Sequence, residues 1–241
     1  MNKRVILLLA VGVTAGCTRH TGVVTQEQPK AFGTALVLVS GEKQAAGVGA
    51  QLDQPLVVQV NNAQGAGVAG ALVRFAGSRG VIVTPTQGLT GSDGQLSVTV
   101  NLGSAGGHYQ LLASTPTASG AAVAIHVDEI ALGYQEMLGA KVSEIHCIRC
   151  HDSESTAARV SNLDNLTAKP HLFTDGAFLN TMSDADLSAM ISHGGNGLNK
   201  SPEMPPYGNT LTKQEIAALV AYMRAMADPP YRAQGVFYAS N

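Results

Sequence analysis

Between positions 32 and 128, apolar and polar residues alternate in short runs, and turn-favouring residues separate the runs. The runs are FGTALVLVS (32–40), PLVVQVNN (55–62), ALVRF (71–75), GVIVT (80–84), GQLSVTVNL (94–102), HYQLLAS (108–114) and AAVAIHVD (121–128). In the fifth, Leu96, Val98 and Val100 fall on one face and Ser97 and Thr99 on the other, the pattern of a strand with one buried side. Residues 61–65, 92–94 and 105–107 supply Gly, Asn and Asp at the breaks. Seven short strands at this spacing predict a two-sheet β-sandwich. His108 and His126 sit within strand patterns and read as strand residues rather than ligands.

From about residue 129 the period lengthens. In ALGYQEMLGAKVSEI (131–145), Leu132, Met137, Leu138, Val142 and Ile145 recur near 3.6 residues, which predicts a helix. DADLSAMIS (184–192) reads as a second helix with Ser183 as N-cap. A third begins at Thr212, which forms a capping box with Glu215. Its apolar face is Ile216, Leu219, Val220 and Met223, and it stops before Pro229 and Pro230. The chain is therefore multidomain: an all-β sandwich over 32–128, then, with no long linker, an all-α unit over 129–241.

The N-terminus lies outside both units. Asn2, Lys3 and Arg4 precede an apolar run at 5–13. That run is too short for a bilayer-spanning helix, which needs about 20 residues, and a secretory signal peptide over 1–16 fits it. Thr14-Ala15-Gly16-Cys17 resembles a bacterial lipobox, with Thr14 where Leu is usual. The resemblance implies lipidation at Cys17, a polar tether over 17–31 and anchoring to a membrane. Thr18 in place of Asp after the cysteine points to the outer membrane facing the periplasm, with the cell surface as the alternative. The competing reading is a cleaved signal with a chance cysteine. Charged residues make up 13% of the chain and the net charge is -2, so nothing marks a nucleic-acid partner.

The chemistry concentrates at His146-Cys147-Ile148-Arg149-Cys150-His151. A structural zinc site takes four Cys or His ligands, and this unit offers one Cys pair, while its other histidines, His146, His171 and His193, show no H-x3-5-H spacing among themselves. A thioredoxin-like C-x-x-C belongs in a βαβ setting, whereas this pair follows a helix. C-x-x-C-H is the signature of covalent haem attachment, with Cys147 and Cys150 forming thioethers and His151 supplying the proximal nitrogen. Three cysteines divide evenly into one for the lipid and two for the haem. The chain carries no acid–base pair, nucleophile–base set or phosphate loop, which argues against intrinsic catalysis and leaves no catalytic residue to name.

Two longer stretches carry family resemblances. PLVVQVNNAQGAGVAGALVRFAG followed by TGSDGQLSVTVNLGSAGGHYQLLAS resembles the bacterial Ig-like domains of surface adhesins. This implies an Ig-like sandwich acting as a spacer or docking module. Glu203-Met204-Pro205-Pro206-Tyr207-Gly208, with the helix from Thr212 to Met223, resembles the C-terminal half of class I cytochromes c. The resemblance implies one covalent haem c, Met204 as distal iron ligand, Gly139 as a helix-crossing glycine and Tyr222 as its aromatic partner. Ser143 departs from it, standing where an aromatic is usual.

Met182, His171 and His193 compete with Met204 for the distal position, while Met137, Met190, Met223 and Met226 fall at helical spacing and read as core. Arg149 suits a haem propionate or open solvent, Lys169-Pro170-His171 suits a loop over the haem edge, and His146 has no assigned role. A six-coordinate haem implies single-electron transfer between unidentified donor and acceptor proteins. The alternatives are a cytochrome subunit of a larger oxidoreductase and a surface binding protein with a redox-sensing haem.

Overall fold

The computed structural model describes residues 28–156 and 159–232. The signal peptide, Cys17 and the first part of the tether lie outside the described residues. The expected runs form strands β1 (Ala35–Ser40), β3 (Leu56–Asn61), β4 (Leu72–Gly77), β5 (Ile82–Thr84), β7 (Gln95–Asn101), β8 (Gly107–Pro116) and β9 (Ala122–Leu132). Two further strands, β2 (Ala45–Gly47) and β6 (Gln87–Leu89), have three residues each, too few to show a period of two in the sequence.

The strands make two sheets, in the orders β1-β3-β7-β5 and β2-β9-β8-β4-β6. Alternation decides which side chains meet between them. Leu56, Val58 and Val60 of β3 and Val98 and Val100 of β7 point inward from one sheet. Val73, Phe75, Tyr109, Leu111 and Val127 meet them from the other. Where the loops after β3 and before β7 touch, Gly94 has φ +79, and a Cβ there would lie 2.6 Å from the Gly67 Cα. Only glycine fits that crossing.

The sandwich boundary expected at 128 moves to Leu132. β9 continues because Glu129 and Ala131 face inward, while Ile130, Ala131 and Leu132 pair in parallel with Ala45, Ala46 and Gly47 of β2. Residues 131 and 132, expected in the first helix, are thus held in a ladder, and Gly133 alone separates β9 from α1 (Tyr134–His146). The Lys43 Nζ donates to the Asp228 carboxylate at 3.1 Å across the junction between the two units.

Beyond Gly133 the described residues form α1, α2 (Ile148–His151), a 3-10 turn (Leu163–Asn165), α3 (Gly176–Leu179), α4 (Asp184–Gly197) and α5 (Lys213–Met226). The capping boxes at Ser183 and Thr212 form as expected, satisfying first-turn N–H groups. α4 runs past the expected end at 192 and breaks at Gly194, where φ is +66. Helices α1 and α5 cross at Gly139, where a Cβ would lie 2.0 Å from the Ala218 carbonyl oxygen and 2.7 Å from the Tyr222 Cβ. Ser143, in place of an aromatic, is fully buried beside that crossing with no partner for its hydroxyl. Among the described residues no helix is long and apolar enough to cross a membrane.

Candidate cofactor site

Cys147 ends α1, and the chain continues through one further helical turn. The Cys150 and His151 N–H groups both donate to the Cys147 carbonyl at 3.0 Å. Positions i, i+3 and i+4 of such a turn share a face, so Cys147, Cys150 and His151 open onto one cavity. Its volume is about 570 Å³ and its walls are mainly apolar, within the size range of small-molecule and cofactor sites. Both thiols are unpaired, and burial, reinforced by Cys150, pushes the Cys147 thiol up to about 12. A thiol that keeps its proton is a poor redox nucleophile. Among the described residues no three His, Cys, Asp or Glu side chains cluster as a metal ion would require.

The orientation of His151 is set from outside its own helix. Its Nδ1 lies 2.8 Å from the His171 carbonyl oxygen, which can only accept, so Nδ1 carries the proton. Burial holds the ring's basicity below its usual value, and the neutral ring leaves Nε2 with the free lone pair. Phe173 stacks on the ring with centroids 5.0 Å apart. The His171 side chain is fixed in turn: Nδ1 meets the Asp175 carboxylate at 2.7 Å, and the ring stacks on Phe178 at 3.4 Å. Asp175 also caps α3 by accepting from the Phe178 N–H.

Met204 lines the same cavity from the loop after α4. Its carbonyl accepts from the Gly195 N–H at 3.0 Å, and a Cβ on Gly195 would lie 1.9 Å from the Ser201 carbonyl oxygen. The Gly194-Gly195 break therefore lets this loop press against α4. Beyond the two prolines, the Tyr207 hydroxyl donates to the His146 carbonyl at 2.9 Å, tying the loop to the end of α1. The Glu203 carboxylate accepts from the Thr167 and Ala168 N–H groups, which hold its carboxyl below the usual range.

These residues fit the expected haem, since the attachment cysteines, a histidine with a free Nε2 and a thioether share one apolar cavity. Of the competitors for the distal position, Met182 and His171 line the cavity as well, whereas His193 is exposed and absent from its lining. Lys169, Pro170 and His171 all border it, as expected of a covering loop, while Arg149 is exposed and does not. Met190 and Met223 form part of the cavity wall rather than only the core between helices, and His146 lines it too. Nothing in the sequence pattern pointed to Phe173, Phe178 or the bonds made by Glu203, because loops and the four-residue α3 are too irregular or too short to show a period.

Comparisons with known proteins bear on each half separately. Residues 135–223, well under half of the chain, match the family model described as cytochrome C oxidase, cbb3-type, subunit III. The C-terminal unit thus carries a cytochrome c domain of that type. No curated protein matches the chain. Among solved structures, the D00-D0 domain of intimin is similar at 18% identity and TM-score 0.33, over 45% of this chain and 51% of that one. The Yersinia pseudotuberculosis adhesin InvE is similar at 16% identity and TM-score 0.32, over 41% of this chain and 32% of that one. The chain thus spans about half of the intimin fragment and about a third of InvE.

Proposed function

We propose that this protein is a c-type cytochrome that passes single electrons between partner proteins through one covalently held haem. The observation that carries this reading is the helical turn that turns Cys147, Cys150 and His151 into one cavity, with His151 locked as the tautomer whose Nε2 is free. When bound, the haem supplies a one-electron couple at iron. Cys147 and Cys150 would anchor it, and His151 and Met204 would supply the protein ligands to iron. The His171 carbonyl orients the proximal ring, and the apolar walls exclude water, which raises the potential along with the His/Met pair.

Alkaline pyridine treatment of protein made in cells that attach c-type haem should show one haem per chain, lost in the C147A/C150A variant. Loss of the red-edge ferric Met–iron band in Met204→Ala, but not in Met182→Ala, supports Met204. The reverse pattern reassigns the distal ligand, and failure of the wild-type chain to take up haem overturns the reading.

The match to an oxidase subunit model favours a second arrangement, in which the chain hands electrons to a catalytic site on another chain. Co-purification with an oxidase or dehydrogenase separates it from a free carrier. In either arrangement, lipid at Cys17 holds the protein to the outer membrane and the sandwich acts as spacer or docking module. Movement of the C17S variant from the membrane to the soluble fraction tests the anchor.

A further inference from the structure

Two connecting segments border the mouth of the cavity, the first of them carrying a 3-10 turn at Leu163–Asn165. One, residues 161–171, ends at the carbonyl that orients His151; the other, residues 198–206, carries Met204. Each is folded locally. In the first, Lys169 Nζ donates to the Leu163 and Asp164 carbonyls at 2.9 and 2.7 Å. In the second, the Lys200 N–H donates to the Gly195 carbonyl at 2.8 Å.

Between the loops, the hydrogen bonds among the described residues all run through one side chain. Glu203 Oε1 accepts from the Thr167 N–H at 3.0 Å, and Oε2 accepts from the Ala168 N–H at 3.1 Å. The Ser201 hydroxyl also donates to Oε2 at 3.1 Å, and the Glu203 N–H donates to Ser201 Oγ at 3.3 Å, which fixes the carboxylate's direction. Two adjacent peptide N–H groups facing two oxygens of one anion form a charge-assisted pair, stronger than neutral hydrogen bonds.

We infer that Glu203 is a positioning residue that latches the Met204 loop to the loop orienting His151, holding the two sides of the cavity mouth as one piece. The inference rests on the haem reading for the roles of Met204 and His151, but the latch itself is a property of the chain. A thioether is a weak, uncharged ligand, so its bond to iron lasts only while its loop is held in place. Opening of an exposed loop is a local equilibrium, and the cross-link governs how often this one opens. Glutamine keeps the shape of the side chain but offers one acceptor oxygen, and it turns an NH2 group toward the second N–H.

The test uses the full chain as wild type, E203A and E203Q. Without haem, amide exchange at Thr167 and Ala168 should quicken at least tenfold in E203A, with E203Q in between. With haem, the ferric E203A protein should bind imidazole at least tenfold faster, show a weakened Met–iron band and shift its reduction potential downward. E203Q behaving as wild type in both exchange and imidazole binding would overturn the latch, since mere packing survives that change. E203A matching wild type in both overturns it as well. Wild-type protein that takes up no haem overturns the haem reading instead, and the exchange measurement still decides the latch.

Discussion

The two halves of this chain solve the problem of an interior in opposite ways. In the sandwich the inside is filled: Leu56, Val58, Val60, Val73 and Leu111 are 0% exposed, and Tyr109 is 1% exposed with its hydroxyl donating to the Ala105 carbonyl. In the helical unit, Leu179, Leu187, Ile191, Leu219 and Met223 belong to the buried cluster and also line the cavity of about 570 Å³. Filled interiors pack like organic crystals, whereas the apolar wall of a cofactor-sized cavity is shaped to pack against the group it binds. The sandwich thus carries its stability within its own residues, whereas the helical unit depends on what occupies its centre.

That contrast makes a strong prediction. Calorimetry on the full chain should show the helical transition falling by about 10 °C or more when C147A/C150A prevents haem attachment, since a ligand bound only to the folded state stabilises that state. The sandwich transition should move by no more than about 2 °C. Two transitions falling together would sink the idea that the halves are stabilised independently.

Gly139→Ala probes a place where the helical unit is tightly packed, the crossing of α1 and α5. Alanine gains about 1 kcal/mol of helix propensity over glycine. Its Cβ would stand 2.0 Å from the Ala218 carbonyl oxygen, however, and that atom belongs to the backbone of α5. Separating α1 from α5 should cost about 3 kcal/mol or more, so sterics win over propensity. Urea titration followed by helical circular dichroism measures the loss. A stabilised variant would show that the crossing is looser than the structure indicates.

The halves also differed in how much the sequence revealed. In the sandwich, alternation such as that of Leu96, Val98 and Val100 exposed each long strand, because in a strand period and burial are the same fact. β2 escaped notice because its three residues are placed by pairing with β9, a partner more than eighty positions away. In the helical unit the turn that opens Cys147, Cys150 and His151 onto one cavity was legible from five adjacent residues, since positions i, i+3 and i+4 share a helical face. Phe173, Phe178 and Glu203 were not, because Phe173 and Glu203 lie in loops and Phe178 in the four-residue α3, whose positions follow from tertiary contacts alone. The length of β9 was misjudged for a similar reason. Glu129 reads as the polar end of a strand, yet it is buried, and its backbone continues the ladder.

Glu129 is a buried ionisable group of the sandwich core. Its Oε2 accepts from the Gln44 N–H at 2.8 Å, while its Oε1 is buried without a partner. Burial raises its pKa to about 8; the Gln44 bond opposes the shift, and Asp128 and Glu42 add to it. The folded chain therefore holds this proton across a range in which the unfolded chain has released it. Below the ordinary carboxylate value both states are protonated and the residue costs nothing. As pH rises from there toward 8 the sandwich loses stability, and above 8 the full penalty applies. Glutamine has the same shape, keeps the acceptor for Gln44 and has no proton to lose. Glu129→Gln should therefore be within about 1 kcal/mol of wild type at pH 5 and more stable by about 4 kcal/mol at pH 8, measured by urea unfolding of the sandwich. A difference that stays constant with pH would mean that Glu129 is solvated in solution, and that the sandwich interior is less closed than that of the unit built around a cavity.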